Sequence, residues 1–396
     1  LLVVVGVVAI VACAGMVLDK LFRGGLPAPF DFTAFWIAGQ LLTSGRNPYD
    51  PALIRPMQLA LGMDDTAVVA WYPPWGLVPM MPLGFADFRT AYGFWVLAHI
   101  VLVIGSAELL WRGLGGVPRQ RWVPYLLTLT FVPTAFLIGS GQTTSVVLFG
   151  LAGYAAARRA GRPYLAGMLG ALTAAKPHLL ALFGLWLLFE AARTRDGRKV
   201  VLGGLVTGVV GCLLPTLANP HVWADYLHAV TAPTSAEHHN LSDWTPPLVG
   251  WWLRQAVPGR PFAVQWVPIV VAMAGLAVWY VKAGRRTADP LGVLPWLVGL
   301  SLLAAPYGVW QHDLILLLVP VFAVAVRLAD RPDPRAIGTG LAWLMAANAA
   351  MLAMMLGSAS SEWYVWVVPT ILLGCLVTLN MTARAPAPRL VPEAVR

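Results

Sequence analysis

With 396 residues, 58% of them hydrophobic against 11% charged, this chain carries too little charge to clothe a soluble fold. Its formal charge of +9 comes largely from arginines grouped between apolar runs, which fits membrane topology and excludes a nucleic-acid surface. Cys13, Cys212 and Cys375 all lie inside apolar runs, so neither a disulfide framework nor a metal cluster is indicated.

The apolar runs predict an all-α, polytopic integral membrane protein, a single transmembrane domain over residues 1–396 with about 12 helices. The first run, residues 1–18, reads as a retained span rather than a signal peptide, because no basic stretch precedes it. The chain begins at Leu1 rather than Met, so the natural start is expected upstream. Further spans are predicted over 90–111, 122–138, 143–157, 164–175, 179–190, 200–217, 263–281, 290–304, 313–326, 336–356 and 363–381. With alternating spans, the basic clusters at 112–121, 158–162, 193–199, 282–286, 327–335 and 384–396 fall on one side. The positive-inside rule makes that side cytoplasmic. The opposite side receives two long segments, 19–89 and 218–262, and is the expected working face.

Along that face, residues 29–39 read as a short amphipathic helix lying at the membrane surface with Asp31 at its head. Next come a turn-rich stretch holding Asn47 and Tyr49, and the aromatic kink Trp71-Tyr72-Pro73-Pro74-Trp75. Gln142 closes a short turn at 139–142. Spans 164–175 and 179–190 are each too short to cross alone, at about 1.5 Å per residue. They read as a hairpin with Lys176, Pro177 and His178 at its apex, a break tolerated in a membrane only against protein or a cavity. The second long segment carries Glu237, His238 and His239, and residues 306–313, with His312, open the tenth span.

These pieces, in order DFTAFWIAG (31–39), NPYD (47–50), YPPWGLVPMMPL (72–83), GQTTSVVL (141–148), AGMLGALTAAKPH (166–178) and APYGVWQHDLILLLVP (305–320), resemble glycosyltransferase family 87. That family comprises polyprenol-phosphate-sugar-dependent transferases of the GT-C superfamily. The tenth-span motif of the family often carries paired histidines, whereas here Gln311 precedes the single His312.

The resemblance implies a membrane hexosyltransferase taking a sugar, mannose above all, from a polyprenyl-phosphate donor with inversion. The acceptor would be a glycolipid or glycan, on the extracytoplasmic side of a bacterial plasma membrane. It implies Asp31 as the base for the acceptor hydroxyl, and makes Lys176 and His312 the candidates for the donor phosphate. Asn47, Tyr49, Tyr72, Gln142, His178 and His239 are expected at the substrates. A leaving monophosphate requires no metal or other cofactor.

Each residue also has a plainer reading. Asp31 fits an N-cap, Lys176 a snorkelling lysine, His312 an interfacial histidine, and Gln142 a turn residue. His99 reads as a packing histidine, and adjacent histidines such as His238 and His239 rarely present both rings to one metal ion. A transporter or lipid-linked-glycan flippase would also use a polar cavity, but no repeat symmetry is visible. A ligase using a diphosphate lipid would want an arginine-rich outer loop, and the loops here hold few arginines.

Overall fold

A computed structural model describes residues 30–63, 67–231, 244–284 and 289–384. The predicted first span and His239, with its neighbours Glu237 and His238, lie outside the described residues.

Among the described residues the protein is all-helical. Helices α1 (Phe30–Thr43) and α2 (Pro51–Ala60) lead into two short 3₁₀ turns, Pro74–Met80 and Pro82–Phe85. The long α3 (Phe88–Leu114) follows, then α4 (Trp122–Thr130), α5 (Val132–Ser140) and α6 (Thr144–Arg159). Next are α7 (Pro163–Gly170), α8 (Ala181–Arg193) and α9 (Arg195–Ala218). Shorter α10 (Val222–Thr231) and α11 (Val249–Gln255) precede α12 (Val267–Trp279) and α13 (Pro290–Ala304). The chain continues through α14 (Leu318–Asp330), α15 (Pro334–Leu356) and α16 (Val367–Arg384).

Five of these helical stretches are long and apolar enough to cross a membrane, and six if α4 and α5, bent by 60°, form one span. The described residues thus hold five or six of the about 12 crossings expected, with Pro163–Ala175 and Pro290–Ala304 as shorter apolar helices. The outer face of α9 presents Leu205, Val206, Val209 and Leu213, each more than half exposed. Such an apolar surface belongs in lipid rather than water.

Helix α6 is the central post. Val147, Leu148, Leu151, Ala152 and Ala155 are all at most 1% exposed, so it is wrapped by protein on every side. Glycines let the neighbours close on it: a Cβ on Gly113 of α3 would lie 2.7 Å from the Ala155 backbone. Helices α7 and α9 touch backbone to backbone, since a Cβ on Gly203 would lie 2.1 Å from the Tyr164 carbonyl oxygen. Small residues at such crossings are how membrane helices approach closely. Gly203→Leu is therefore expected to cost roughly 1–3 kcal/mol or more, seen as a lower thermal unfolding midpoint in detergent. An unchanged midpoint would mean that this crossing does not hold the bundle.

The surface-lying amphipathic helix at residues 29–39 requires correction. Helix α1 is enclosed: Phe32, Phe35, Ile37, Leu41 and Leu42 are at most 3% exposed. Apolar side chains point all round it rather than along one stripe, so protein covers it on all sides. Gly39 makes this possible, because a Cβ there would strike the Met80 carbonyl oxygen at 2.5 Å. The predicted hairpin is present. Helix α7 runs through a 3₁₀ turn to Ala175, breaks at Lys176, and resumes through a second 3₁₀ turn, Pro177–Leu180, into α8. Both legs pack against α9.

Candidate functional site

The site forms where the start of α1, the α5–α6 turn, the hairpin apex and the start of the tenth predicted span meet. Gly141 ends α5 in the left-handed region, at φ +72°, and its missing side chain makes room for Phe32, whose Cβ would otherwise clash at 2.7 Å. Docking Phe32 onto Gly141 sets its chain neighbour Asp31 near Gln142, whose side chain favours the ionised carboxylate. Trp95 locks the same turn by donating to the Gly141 carbonyl at 2.7 Å.

Gln142 is itself oriented. Its Oε1 accepts from the Tyr72 hydroxyl at 3.0 Å and from the Thr143 amide at 3.3 Å, which leaves its NH₂ for Asp31. Asp31 lies in the first turn of α1 as its second residue, so it is not the N-cap of that helix. It is half-buried. Burial pushes its carboxyl up to about 6, while Lys176 and the Gln142 hydrogen bond pull it down and the Asp313 charge adds to the rise.

Lys176, only 3% exposed, sits at the centre. Its Nζ donates to Asp313 Oδ1 at 2.7 Å and to Thr144 Oγ1 at 3.0 Å, lies 3.4 Å from His312 Nε2, and hovers 5.9 Å from the Tyr72 ring centroid. The Thr144 hydroxyl also donates to Asp313 Oδ1, and Oδ2 accepts from the Trp310 amide at 3.0 Å. His312 Nε2 thus sits between that ammonium, at 3.4 Å, and Asp313 Oδ2, at 3.5 Å. The lysine is thus not a snorkelling one: it is held in an ion pair with a carboxylate that is fully buried.

Of the residues expected from sequence, Asp31, Tyr72, Gln142, Lys176 and His312 gather here. His178 points to the next layer, stacked on Tyr307 at 4.4 Å. Asn47 and Tyr49 bond within the chain beside this cluster. Gly45, at φ +71°, stops α1, Asn47 Oδ1 accepts from the Tyr49 amide at 2.8 Å, and Asp50 caps α2. The Tyr49 hydroxyl donates to the Tyr72 carbonyl at 2.8 Å, so this stretch braces Tyr72. The residues sequence reasoning missed are Asp313 and Thr144. The available signal was a rule: a lysine inside an apolar hairpin needs an acid, and Asp313 was the acid standing at the neighbouring motif. Behind the site, His99 Nδ1 lies 2.8 Å from Ser145 Oγ, with the ring against Trp95 at 4.6 Å. Among the described residues no set of three His, Cys, Asp or Glu side chains is arranged to hold a metal ion.

The arrangement offers a partly exposed carboxylate with a raised pKa next to a buried cation, in surroundings that exclude most water. Such a pair suits proton removal from a hydroxyl beside a group that departs with negative charge. The model of glycosyltransferase family 87 matches residues 70–306, a stretch that holds Tyr72, Gln142 and Lys176 and stops short of His312. No curated protein and no solved structure matches the chain.

Proposed function

The chain belongs to glycosyltransferase family 87, and we propose that it transfers a hexose, mannose in the first instance, from a polyprenyl-phosphate donor to a glycolipid or glycan. In this reading the fold is a GT-C-type transmembrane bundle in a bacterial plasma membrane, and the site opens on the extracytoplasmic side. The observation that carries it is the half-buried Asp31, held by Gln142 within the field of the Lys176–Asp313 pair.

The acceptor hydroxyl oxygen attacks the anomeric carbon from the face opposite the phosphate, and Asp31 takes its proton. The bond between the anomeric carbon and the phosphate oxygen breaks, and the electron pair leaves with polyprenyl phosphate. Lys176 and His312 meet the charge on that phosphate, and Tyr72 and Gln142 fix the sugar and the base. Asp313 keeps Lys176 protonated and aimed. Inversion follows from a single displacement.

The test is a purified, reconstituted protein given polyprenyl-phosphate mannose and an acceptor glycolipid. The expected result is release of polyprenyl phosphate together with a mannosylated product of inverted configuration. Failure with lipid-linked donors but turnover with a nucleotide sugar would overturn the reading. The pH dependence provides a second check. Asp31 acts only when ionised, so kcat/KM rises with pH through about 6 and levels off above it. Gln142→Leu removes a hydrogen bond that favours the carboxylate, so this limb moves to higher pH in that variant. An unmoved limb would detach it from Asp31.

A further inference from the structure

Sharing none of the candidate site's residues, an apolar cavity of about 330 Å³ lies between α4, α14, α15 and α16. Helix α4 stops at Thr130, the chain bends by 60°, and the first amide of α5, Val132, is capped by Asn348 Oδ1 of α15 at 2.8 Å. Helix α15, which makes that contact, lines the cavity together with α4. Its rear wall is closed by glycine: a Cβ on Gly374 of α16 would lie 2.4 Å from the Trp343 ring of α15. The volume falls in the range of sites that hold a small ligand.

Basic residues flank the lining in the chain. The lining includes Gln120, just before α4, and Pro332, between α14 and α15. Arg119 adjoins Gln120 in the chain, Arg331 adjoins Pro332 and Arg335 precedes the lining residue Ile337 by two, all three exposed; Arg327, half-buried on the last turn of α14, adjoins the lining residue Leu328. Arg121, on the other side of Gln120 in the chain, is taken by Glu108 at 2.5 Å, and Arg331 lies 3.9 Å from Asp330. Asp333 is engaged in capping α15. Arg119, Arg327 and Arg335 have no acid within ion-pair distance among the described residues. The N-terminus of α15 lies in the same stretch of chain and adds its positive dipole end.

We propose that this cavity is a binding site for an anionic phospholipid of the surrounding bilayer, with one acyl chain in the cavity and the phosphate against Arg119, Arg327 and Arg335. The charge complementarity selects the occupant. A wholly apolar molecule would leave the guanidinium groups unused, and a zwitterionic lipid would bring a cation to these basic residues. The site is independent of the glycosyl-transfer reading.

Native mass spectrometry of the full chain in detergent, titrated with dioleoyl phosphatidylglycerol or dioleoyl phosphatidylcholine, tests it. The expected result is at least a tenfold preference for phosphatidylglycerol. Arg119→Gln combined with Arg335→Gln removes the preference, and Ala325→Phe, which fills the cavity, lowers retention of both lipids. The arginines are exposed, so their replacement leaves the fold intact and the outcome readable. Equal retention of the two lipids, undiminished preference in the arginine variant, or tighter capture of polyprenyl phosphate than of phosphatidylglycerol would each overturn the proposal.

Discussion

Asp31→Asn is expected to lower kcat by about 10²–10⁴-fold, the usual contribution of a positioned base, with donor affinity changed by no more than a few fold. Asparagine keeps the shape of the side chain and a partner for Gln142, but it accepts no proton from the acceptor. The loss should therefore fall on kcat rather than on the KM for donor. Stability moves the other way. The folded-state pKa of Asp31 is raised above its ordinary value, so ionising it costs stability as pH rises from about 4 to about 6 and above. Asp31→Asn removes that cost, and its unfolding midpoint at pH 7.5 should equal or exceed that of the parent. A variant keeping a tenth or more of its turnover would show that another group takes the proton.

Breaking the Lys176–Asp313 pair should have the largest effect on stability. Asp313→Ala leaves an ammonium at 3% exposure without its hydrogen-bonded carboxylate, and also strips acceptors from Thr144 and the Trp310 amide. The expected cost is about 3–5 kcal/mol, and Lys176→Met, which strands the buried carboxylate, should cost a similar amount. The double variant Lys176→Met with Asp313→Leu replaces both charges by apolar groups of like volume. It should recover most of the stability and none of the activity. Unfolding midpoints in detergent for the two singles and the double close the cycle. If the losses in the double simply add, the pair is not coupled.

Much of this is legible in the sequence. The helical breaks at Lys176 and between Gly141 and Thr144 were visible because polar residues and glycines interrupt long apolar runs. The same contrast brought out Asp31, Tyr72, Gln142, Lys176 and His312, since a membrane chain holds few polar side chains without a use for them. The setting of α1 was not legible. Phe32, Phe35, Trp36 and Ile37 demand removal from water, but the demand is the same whether lipid or protein meets it. Only the backbone approach at Gly39 and Gly141 decides for protein. Asp313 was hidden for a different reason. Its partner stands 137 residues away, and no local pattern announces a pairing made across the fold. Asn47 and Tyr49 were legible as a motif, but their local bonding is that of a helix stop and a brace for Tyr72.

The pairing of Lys176 with Asp313 also bears on how a substrate arrives. Opposite charges 2.7 Å apart look from a distance like a dipole, whose reach is shorter than that of a lone cation, and salt at physiological strength dampens it further beyond about 8 Å. The chamber thus exerts no long-range pull on an anion. A lipid-tethered donor would meet it by drifting sideways through the bilayer, so encounter would follow lipid density and viscosity and stay nearly indifferent to ionic strength.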